Sequence, residues 1–263
     1  MTTEAVPRAT RVRILNVELD NLTQREFLER FTCGVVFTVN VDFVIRMQTD
    51  RAFLQLQRRA DYSVADGQML VFASRFLGTP LKERIAGADL LLAFCDHHRA
   101  HPDVRLFLLG AGPGVAEAAM HAINARIGRT IVVGAHSPSY GFESDERECR
   151  DIVDLINRSG ATTLAVGAGT PKQEKWISDW RGRLNDVRMF LPIGAALDFT
   201  AGAKRRAPAW IGSAGFEWFF RLTQEPRRLW RRYLLEDSRF FRLVLEQRLG
   251  RYRDPFPDRQ SNA

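Results

Sequence analysis

The stretch that decides the fold is residues 163–181, TLAVGAGTPKQEKWISDWR. Its first four residues, TLAV, predict a buried strand, because they are apolar or β-branched without a polar alternation. A glycine-rich turn follows, and residues 171–181 then predict a helix that opens with proline in its favoured first turn. A strand that is apolar throughout indicates a parallel sheet with both faces covered.

The same alternation of short apolar runs and helical segments recurs along the chain. Further strands are predicted at residues 34–38, 105–109, 130–133 and 189–193, and further helices at 43–59, 114–127 and 144–158. This order predicts an α/β fold: a Rossmann-like parallel sheet with helices on both faces, followed by a helical, basic and aromatic C-terminal appendage.

The basic charge of the chain is concentrated near its C-terminus. The whole sequence has 38 Lys+Arg and 31 Asp+Glu, and residues 204–253 hold 13 of the basic and 5 of the acidic residues. The remainder is therefore close to neutral, and the basic segment is rich in Trp, Phe and Tyr. We predict an α/β catalytic body at residues 1–204, a membrane-associating appendage at 205–253 and a flexible tail at 254–263.

Beyond Pro226 the appendage has the pattern of an amphipathic helix with a cationic face. The apolar stripe consists of Leu229, Trp230, Tyr233, Leu234, Phe240, Phe241, Val244 and Leu245. The basic side consists of Arg228, Arg231, Arg232, Arg239 and Arg242. Two interpretations remain open: a helix that meets an anionic membrane, and a terminal helix packed on the body with solvated arginines.

Several classes are excluded by what the sequence lacks. The first 14 residues predict no secretory signal, and no apolar run approaches the ~18 residues of a membrane span. Three cysteines without CxxC spacing predict reduced thiols in a cytoplasmic protein. The Gly110-Ala111-Gly112-Pro113-Gly114 turn has only part of the dinucleotide fingerprint, and there is no P-loop, which argues against nicotinamide oxidoreductases and nucleoside triphosphatases.

Two charged residues, Asp66 and Arg84, lie in otherwise apolar segments of the sequence. Asp66 lies between a predicted short strand and a helix, where its structural role would be a helix N-cap. Arg84 lies just before another helix, where its structural role would be a surface ion pair. Taken singly, both residues are interpreted as structural. Ligands of open parallel sheets bind outside the carboxyl ends of the strands, where this chain has Asn40 and several glycine-rich turns. The sequence has no strand-end Asp-x-Asp metal clamp, so a bound diphosphate would be neutralised by arginine and helix N-termini.

Read together, these segments resemble the WecG/TagA/CpsF family of bacterial glycosyltransferases (glycosyltransferase family 26), over about residues 11–233. The matching motifs in the first half are Thr38-x-Asn40, Ala65-Asp66-Gly67, Glu83-Arg84-x-x-Gly87 and Gly110-x-Gly112-Pro113-Gly114. Those in the second half are Pro171-Lys172-Gln173-Glu174, Gly194-Ala195-x-x-Asp198-Phe199-x-x-Gly202, Arg206-Ala207-Pro208-x-Trp210 and the run from Gly215 to Arg228. Their order and spacing are specific to this family.

The resemblance implies an inverting transfer of a sugar from a UDP-sugar donor to a polyprenyl-diphosphate-linked sugar, in the biosynthesis of a cell-surface polysaccharide. It implies a cytoplasmic protein, peripheral on the inner face of the cell membrane, that needs no metal or cofactor; some relatives also self-associate. Asp66 would be the general base. The residues implied for the sugar pocket are Thr38, Asn40, Arg84 and Gln173. The residues implied for UDP are Gly110, Gly112, Gly134, Gly167, Gly194 and Asp198, and those for the diphosphates are Arg221, Arg228 and Arg231.

Two alternatives come from other classes: a nucleic-acid-binding protein that uses its arginine-rich segment, and a peripheral membrane protein without activity. The first explains the charge but leaves the polar residues at the strand ends without a role, so we expect no nucleic-acid partner. The donor sugar, the first sugar of the acceptor, the final polymer and the oligomeric state are not encoded in any motif that we identify.

Overall fold

The computed structural model describes residues 9–204 and 237–257. Its strands are β1 (Arg11–Ile14), β2 (Val17–Asp20), β3 (Gly34–Val39), β4 (Tyr62–Ala65), β5 (Leu106–Gly110), β6 (Val132–His136), β7 (Thr163–Gly167) and β8 (Met189–Pro192). Its α-helices are α1 (Gln24–Arg30), α2 (Val41–Arg46), α3 (Arg51–Arg58), α4 (Gln68–Phe76), α5 (Gly87–His97), α6 (Val115–Ile127), α7 (Glu146–Ser159), α8 (Lys172–Trp180), α9 (Ala196–Thr200) and α10 (Asp237–Arg248).

Six of the strands form one sheet in the order β4-β3-β8-β7-β5-β6. The pairs β3–β8, β8–β7, β7–β5 and β5–β6 are all parallel; for example, Thr163 is in register with Met189 and with Leu106. Residues of β5 and β7 are buried along their whole length, as expected of strands covered on both faces. The predicted α/β fold is confirmed.

The described residues divide into two compact units. Unit 1 comprises residues 9–30, 38–85 and 237–257, and unit 2 comprises 31–37 and 86–204. The chain enters unit 2 at Phe31, before β3, and returns to unit 1 at Thr38, within β3.

Unit 1 contains an N-terminal hairpin that the sequence analysis did not predict. β1 and β2 pair antiparallel, from Arg11 opposite Asp20 to Ile14 opposite Val17. Leu15 in the turn has a φ of 56°, and its side chain is nevertheless buried. α10 belongs to the same unit and packs there through Phe240, which is fully buried, and Val244.

One predicted helix of unit 1 is in fact two. The sequence analysis proposed a continuous helix at 43–59, whereas α2 ends at Arg46 and α3 begins at Arg51. Asp50 accepts a hydrogen bond from the backbone N–H of Phe53 (2.9 Å) and is the N-cap of α3. The predicted continuous helix is interrupted before Arg51, because an N-cap residue marks the start of a new helix.

The core of unit 2 lies between β5, β7 and β8 and the helices α7 and α8. Trp176 of α8 is buried there, and its indole N–H donates to the sulfur of Cys149 on α7 (3.2 Å). Burial raises the pKa of the Cys149 thiol, so this cysteine acts as a small core residue.

Candidate functional site

The predicted general base, Asp66, directly follows β4. Its backbone N–H donates to the carbonyl of Val39 at the end of β3 (2.6 Å), and its side chain is half-buried. The N-cap position of α4 is Gly67, with a φ of +154° that side chains with a Cβ rarely adopt, and the cap makes no side-chain hydrogen bond. The N-cap position of α4 is therefore held by Gly67, with Asp66 one residue before it.

Arg84 lies beside Asp66 because their backbones are tied together. The N–H of Ile85 donates to the carbonyl of Ala65 (2.8 Å), so the residue before Ile85 and the residue after Ala65 are neighbours. Both side chains are half-buried and both have partners. The backbone of Arg84 is thus next to that of Asp66, and the positive charge of Arg84 would stabilise anionic groups of a ligand.

Asn40 and Thr38 complete this group at the end of β3. The side-chain Oδ1 of Asn40 accepts from the N–H of Phe43 (3.0 Å), which makes Asn40 the N-cap of α2. Among the described residues this is the only hydrogen bond of that side chain, so its amide N–H groups remain for a ligand. Thr38 is buried in β3, two residues earlier and on the same face of the strand. Unit 1 therefore gathers Thr38, Asn40, Asp66 and Arg84 in one place.

Three of the predicted UDP-binding glycines lie at adjoining strand ends in unit 2. A Cβ on Gly110 would lie 2.5 Å from the backbone of Gly167, and a Cβ on Gly167 would lie 2.8 Å from the carbonyl oxygen of Gly194. The N–H of Ala111 also donates to the carbonyl of Gly167 (3.0 Å). Glycine is required at positions 110 and 167 because the backbone approaches them this closely, whether or not a nucleotide binds. A Cβ on Gly194 would meet no other atom, and glycine is favoured there by its φ of +54°.

The other two glycines differ from each other. Gly112 lies in the loop before α6, and a Cβ there would make only an ordinary contact, 3.9 Å from Val115. Gly134 was predicted to follow its strand, but β6 extends through Gly134 to His136. His136 is in register with Leu109 of β5, and Gly134 with Phe107. A Cβ on Gly134 would lie 2.6 Å from the ring of Phe107. The missing side chain therefore makes room for that ring.

Asp198 lies in the first turn of α9 and is half-buried. Its carboxylate is 3.6 Å from the ammonium group of Lys204, and its backbone carbonyl accepts the N–H of the same residue (3.1 Å). A carboxylate repels phosphate but accepts hydrogen bonds from hydroxyl and imide groups. Asp198 is therefore suited to the ribose or the base of a nucleotide, and unsuited to its diphosphate.

Gln173 belongs to unit 2 and is buried, with 2% of its surface exposed. Its Oε1 accepts from the N–H of Gly194 (3.1 Å), and its Nε2 donates to Oε1 of Glu174 (2.8 Å). Glu174, buried to 4% exposure, also accepts from the hydroxyl of Thr170 (3.0 Å). The sequence analysis quoted Glu174 in its motif without assigning it a role. The signal was present, because a glutamate in the buried first turn of a helix needs hydrogen-bond donors.

The three predicted diphosphate ligands, Arg221, Arg228 and Arg231, lie outside the described residues, as does most of the predicted appendage. Its described part includes α10, on which Phe241 and Leu245 are about half exposed while Phe240 is buried, and Leu249 just after the helix is also about half exposed. The described helices include none long and apolar enough to cross a membrane.

Known proteins resemble this chain over most of its length. The sequence profile described as "Glycosyl transferase WecG/TagA/CpsF family" matches residues 12–254. An N-acetylglucosaminyldiphosphoundecaprenol N-acetyl-beta-D-mannosaminyltransferase of Staphylococcus aureus (strain MW2) is 32% identical over 245 residues, covering 88% of this chain and 91% of the relative. The protein of the same name from strain MRSA252 is 31% identical over the same shares. The family predicted from the motifs is confirmed: this chain belongs to the WecG/TagA/CpsF family of glycosyl transferases.

Proposed function

We propose that the protein transfers a sugar from a UDP-sugar to a sugar carried on polyprenyl diphosphate, with inversion at the anomeric carbon. The first donor to consider is UDP-N-acetylmannosamine and the first acceptor N-acetylglucosaminyl-diphosphoundecaprenol, because the S. aureus relatives are named for that sugar and that lipid. The observation that carries the proposal is the group formed by Asp66, Asn40 and Arg84 at the ends of β3 and β4.

In this mechanism the carboxylate of Asp66 takes the proton of the acceptor hydroxyl. The hydroxyl oxygen forms a bond to the anomeric carbon of the donor from the face opposite UDP. The bond between that carbon and the diphosphate oxygen breaks, and UDP leaves with the electron pair. A positioned base contributes about 10²–10⁴-fold to such a step. Asn40, Thr38 and Arg84 orient the sugars around the reacting hydroxyl.

The nucleotide is assigned to unit 2. Gly112 and its neighbours at the strand ends leave backbone close to a ligand, and Asp198 accepts hydrogen bonds from ribose or uracil. The negative charge that develops on UDP is stabilised by Arg221, Arg228 and Arg231, whose guanidinium groups match phosphate geometry and stay protonated. The proposed reaction needs no metal ion.

The lipid-linked acceptor requires contact with the membrane surface, which we assign to the inner face of the cell membrane. The described support is on α10, where Phe241 and Leu245 are exposed four residues apart, with exposed Leu249 just after the helix, and Arg242 is exposed beside them. The sequence analysis also placed Phe240 and Val244 in the apolar stripe. These two residues do not face a membrane, because both are buried in unit 1.

The direct test is to incubate the purified protein with a panel of UDP-sugars and a short-chain N-acetylglucosaminyl-diphosphate lipid. We expect transfer from UDP-N-acetylmannosamine, retained in EDTA. Absence of transfer from every UDP-sugar in the panel would contradict the proposal. Salt-sensitive retention of DNA by the full-length protein, lost when residues 205–236 are deleted, would favour the nucleic-acid alternative.

A further inference from the structure

A short chain of buried hydrogen bonds links α8 to the turn before α9 in unit 2. It runs from Oε1 of Glu174 to Nε2 of Gln173 (2.8 Å), and from Oε1 of Gln173 to the N–H of Gly194 (3.1 Å). The hydroxyl of Thr170 holds the first oxygen from the other side (3.0 Å). Gln173 and Glu174 are 2% and 4% exposed.

Both ends of the Gln173 carboxamide are thus occupied within unit 2. Its acceptor is used by Gly194 and its donor group faces Glu174. A side chain this deeply buried, with internal partners on both sides, is explained without a contact to sugar. The internal contact that points to a role for Gln173 is its hydrogen bond to the backbone N–H of Gly194.

The acceptor role of Glu174 sets which way the amide of Gln173 points. Its Oε1 accepts from the hydroxyl of Thr170 and from Nε2 of Gln173, so the donor end of the Gln173 amide faces it. The oxygen of the amide is then directed at the backbone N–H of Gly194. A neutral amide at position 174 removes this constraint, since it pairs with either end of Gln173.

We propose that Glu174 is a positioning residue for the nucleotide. It orients Gln173, which fixes the backbone of Gly194, and Gly194 begins the turn that leads through Ala195 to Asp198 on α9. Gly194 has a φ of +54°, and its carbonyl oxygen lies where a Cβ on Gly167 would fall, so a shift of this turn also moves the end of β7. The inference rests on the proposed function, in which unit 2 binds UDP.

Three variants test whether Glu174 orients the amide of Gln173: Glu174→Gln, Gln173→Glu and the double exchange Gln173→Glu/Glu174→Gln. Binding of UDP to the full-length protein is measured by calorimetry without acceptor. We expect Glu174→Gln to raise the Kd about 5–20-fold, because an amide at position 174 no longer fixes the orientation of Gln173, and Gln173→Glu to raise it further, because it places two carboxyl groups together. The exchanged pair restores one donor facing one carboxylate and should bind UDP within about threefold of the wild type.

A matched control separates positioning from a general loss of stability. Gln57 is another buried glutamine, 4% exposed, whose Nε2 donates to Ser63 (2.9 Å) in unit 1. Gln57→Met and Gln173→Met should both lower the Tm, but only Gln173→Met should weaken UDP binding. With a short-chain acceptor, Glu174→Gln should raise KM for the donor and leave kcat at saturating donor within about threefold of the wild type, because its effect is on binding.

Unchanged UDP affinity in folded Glu174→Gln and Gln173→Glu would overturn the positioning role while leaving the proposed function intact. So would an exchanged pair that binds no better than the weaker single variant. A wild-type protein that does not bind UDP would overturn the proposed nucleotide site and the positioning role together.

Discussion

Gln247, in the last turn of α10, accepts a hydrogen bond through its side-chain Oε1 from the backbone N–H of Leu15, 232 positions earlier in the chain (2.7 Å). Its Nε2 donates to the carbonyl of Arg13 (3.2 Å), so one side chain satisfies two backbone groups at the turn of the β1–β2 hairpin. The end of the chain and its beginning are therefore joined within unit 1. The interpretation of the terminal helix as packed on the body holds for α10.

This contact predicts the effect of removing the Gln247 amide. Gln247→Leu should lower the free energy of unfolding by about 1–3 kcal/mol, because two backbone groups at the turn lose their partner. Gln55→Leu is the control, since the Gln55 side chain makes no hydrogen bond among the described residues. Urea denaturation measures both; equal stability of the two variants would show that the contact adds nothing.

A second prediction concerns the residues after α10. The hydroxyl of Tyr252 donates to Oε1 of Gln48 (2.7 Å), and Asp254 lies 3.6 Å from Arg13 and 3.8 Å from Arg58. Tyr252→Phe should cost about 0.5–1.5 kcal/mol of stability, the usual value of a partly buried hydrogen bond. Truncation after Gly250 should cost more, because it also removes Asp254. Truncation after Pro257, with an unchanged Tm, is the matched control.

The proposed base gives a kinetic prediction. Asp66→Asn should lower kcat about 10²–10⁴-fold at an unchanged Tm, since the amide keeps the shape of the side chain but takes up no proton. Asp179→Asn, at an exposed position on α8, should leave kcat unchanged. The measurement is transfer of labelled sugar to a short-chain acceptor. Wild-type turnover by folded Asp66→Asn would remove Asp66 from the mechanism.

His98 makes stability depend on pH. It is buried against Phe94 at the end of α5, and neither ring nitrogen has a hydrogen-bond partner among the described residues. Burial, then the charges of His97, His101 and Arg129, lowers its pKa to about 4 from the usual 6.5. Between those values the unfolded chain binds the proton more readily, so stability should be full above about pH 6.5 and fall as the pH decreases toward 4.

The expected loss over that range is about 1–3 kcal/mol, reduced from the full linkage value because the ring is not completely removed from solvent. His98→Phe should flatten the pH dependence of stability between pH 6.5 and 4, whereas His121→Gln, at an exposed position on α6, should leave it as in the wild type. Chemical denaturation at a series of pH values measures both. A His98→Phe protein with the wild-type slope would refute the assignment.

The last prediction separates the two faces of α10. Phe241→Ser/Leu245→Ser should weaken binding to anionic liposomes with little change in Tm, because both side chains are exposed. Phe240→Ser should instead lower the Tm, since it empties a fully buried position. Arg239→Gln/Arg242→Gln should weaken liposome binding most at low salt, where attraction to the headgroups is least screened, and spare transfer to a soluble acceptor. Full liposome binding by both double variants would exclude this face as the membrane contact.

The sequence alone determined the parallel sheet. Strands such as TLAV at 163–166 are apolar or β-branched without a polar alternation, a pattern typical of strands covered on both faces. It also determined that Asp66 follows a strand. The family could be determined as well, because motifs in a fixed order over most of the chain can be recognised without knowing how the elements pack. Element ends were predicted less well: β6 continues through Gly134 to His136 because pairing with β5 extends it, and pairing is not a local property.

The tertiary structure alone decided which side chains serve the site and which serve the packing. Adjacent Phe240 and Phe241 are equivalent in a helical pattern, yet the first is buried and the second exposed, because burial depends on the surface that α10 meets. Gly110 and Gly167 have the composition of ligand loops, but their missing Cβ atoms are explained by the approach of neighbouring strand ends. The orientation of the Gln173 amide likewise depends on its hydrogen bonds to Glu174 and to Gly194, which lies 21 residues later in the chain. These bonds form only once the fold brings the partners together.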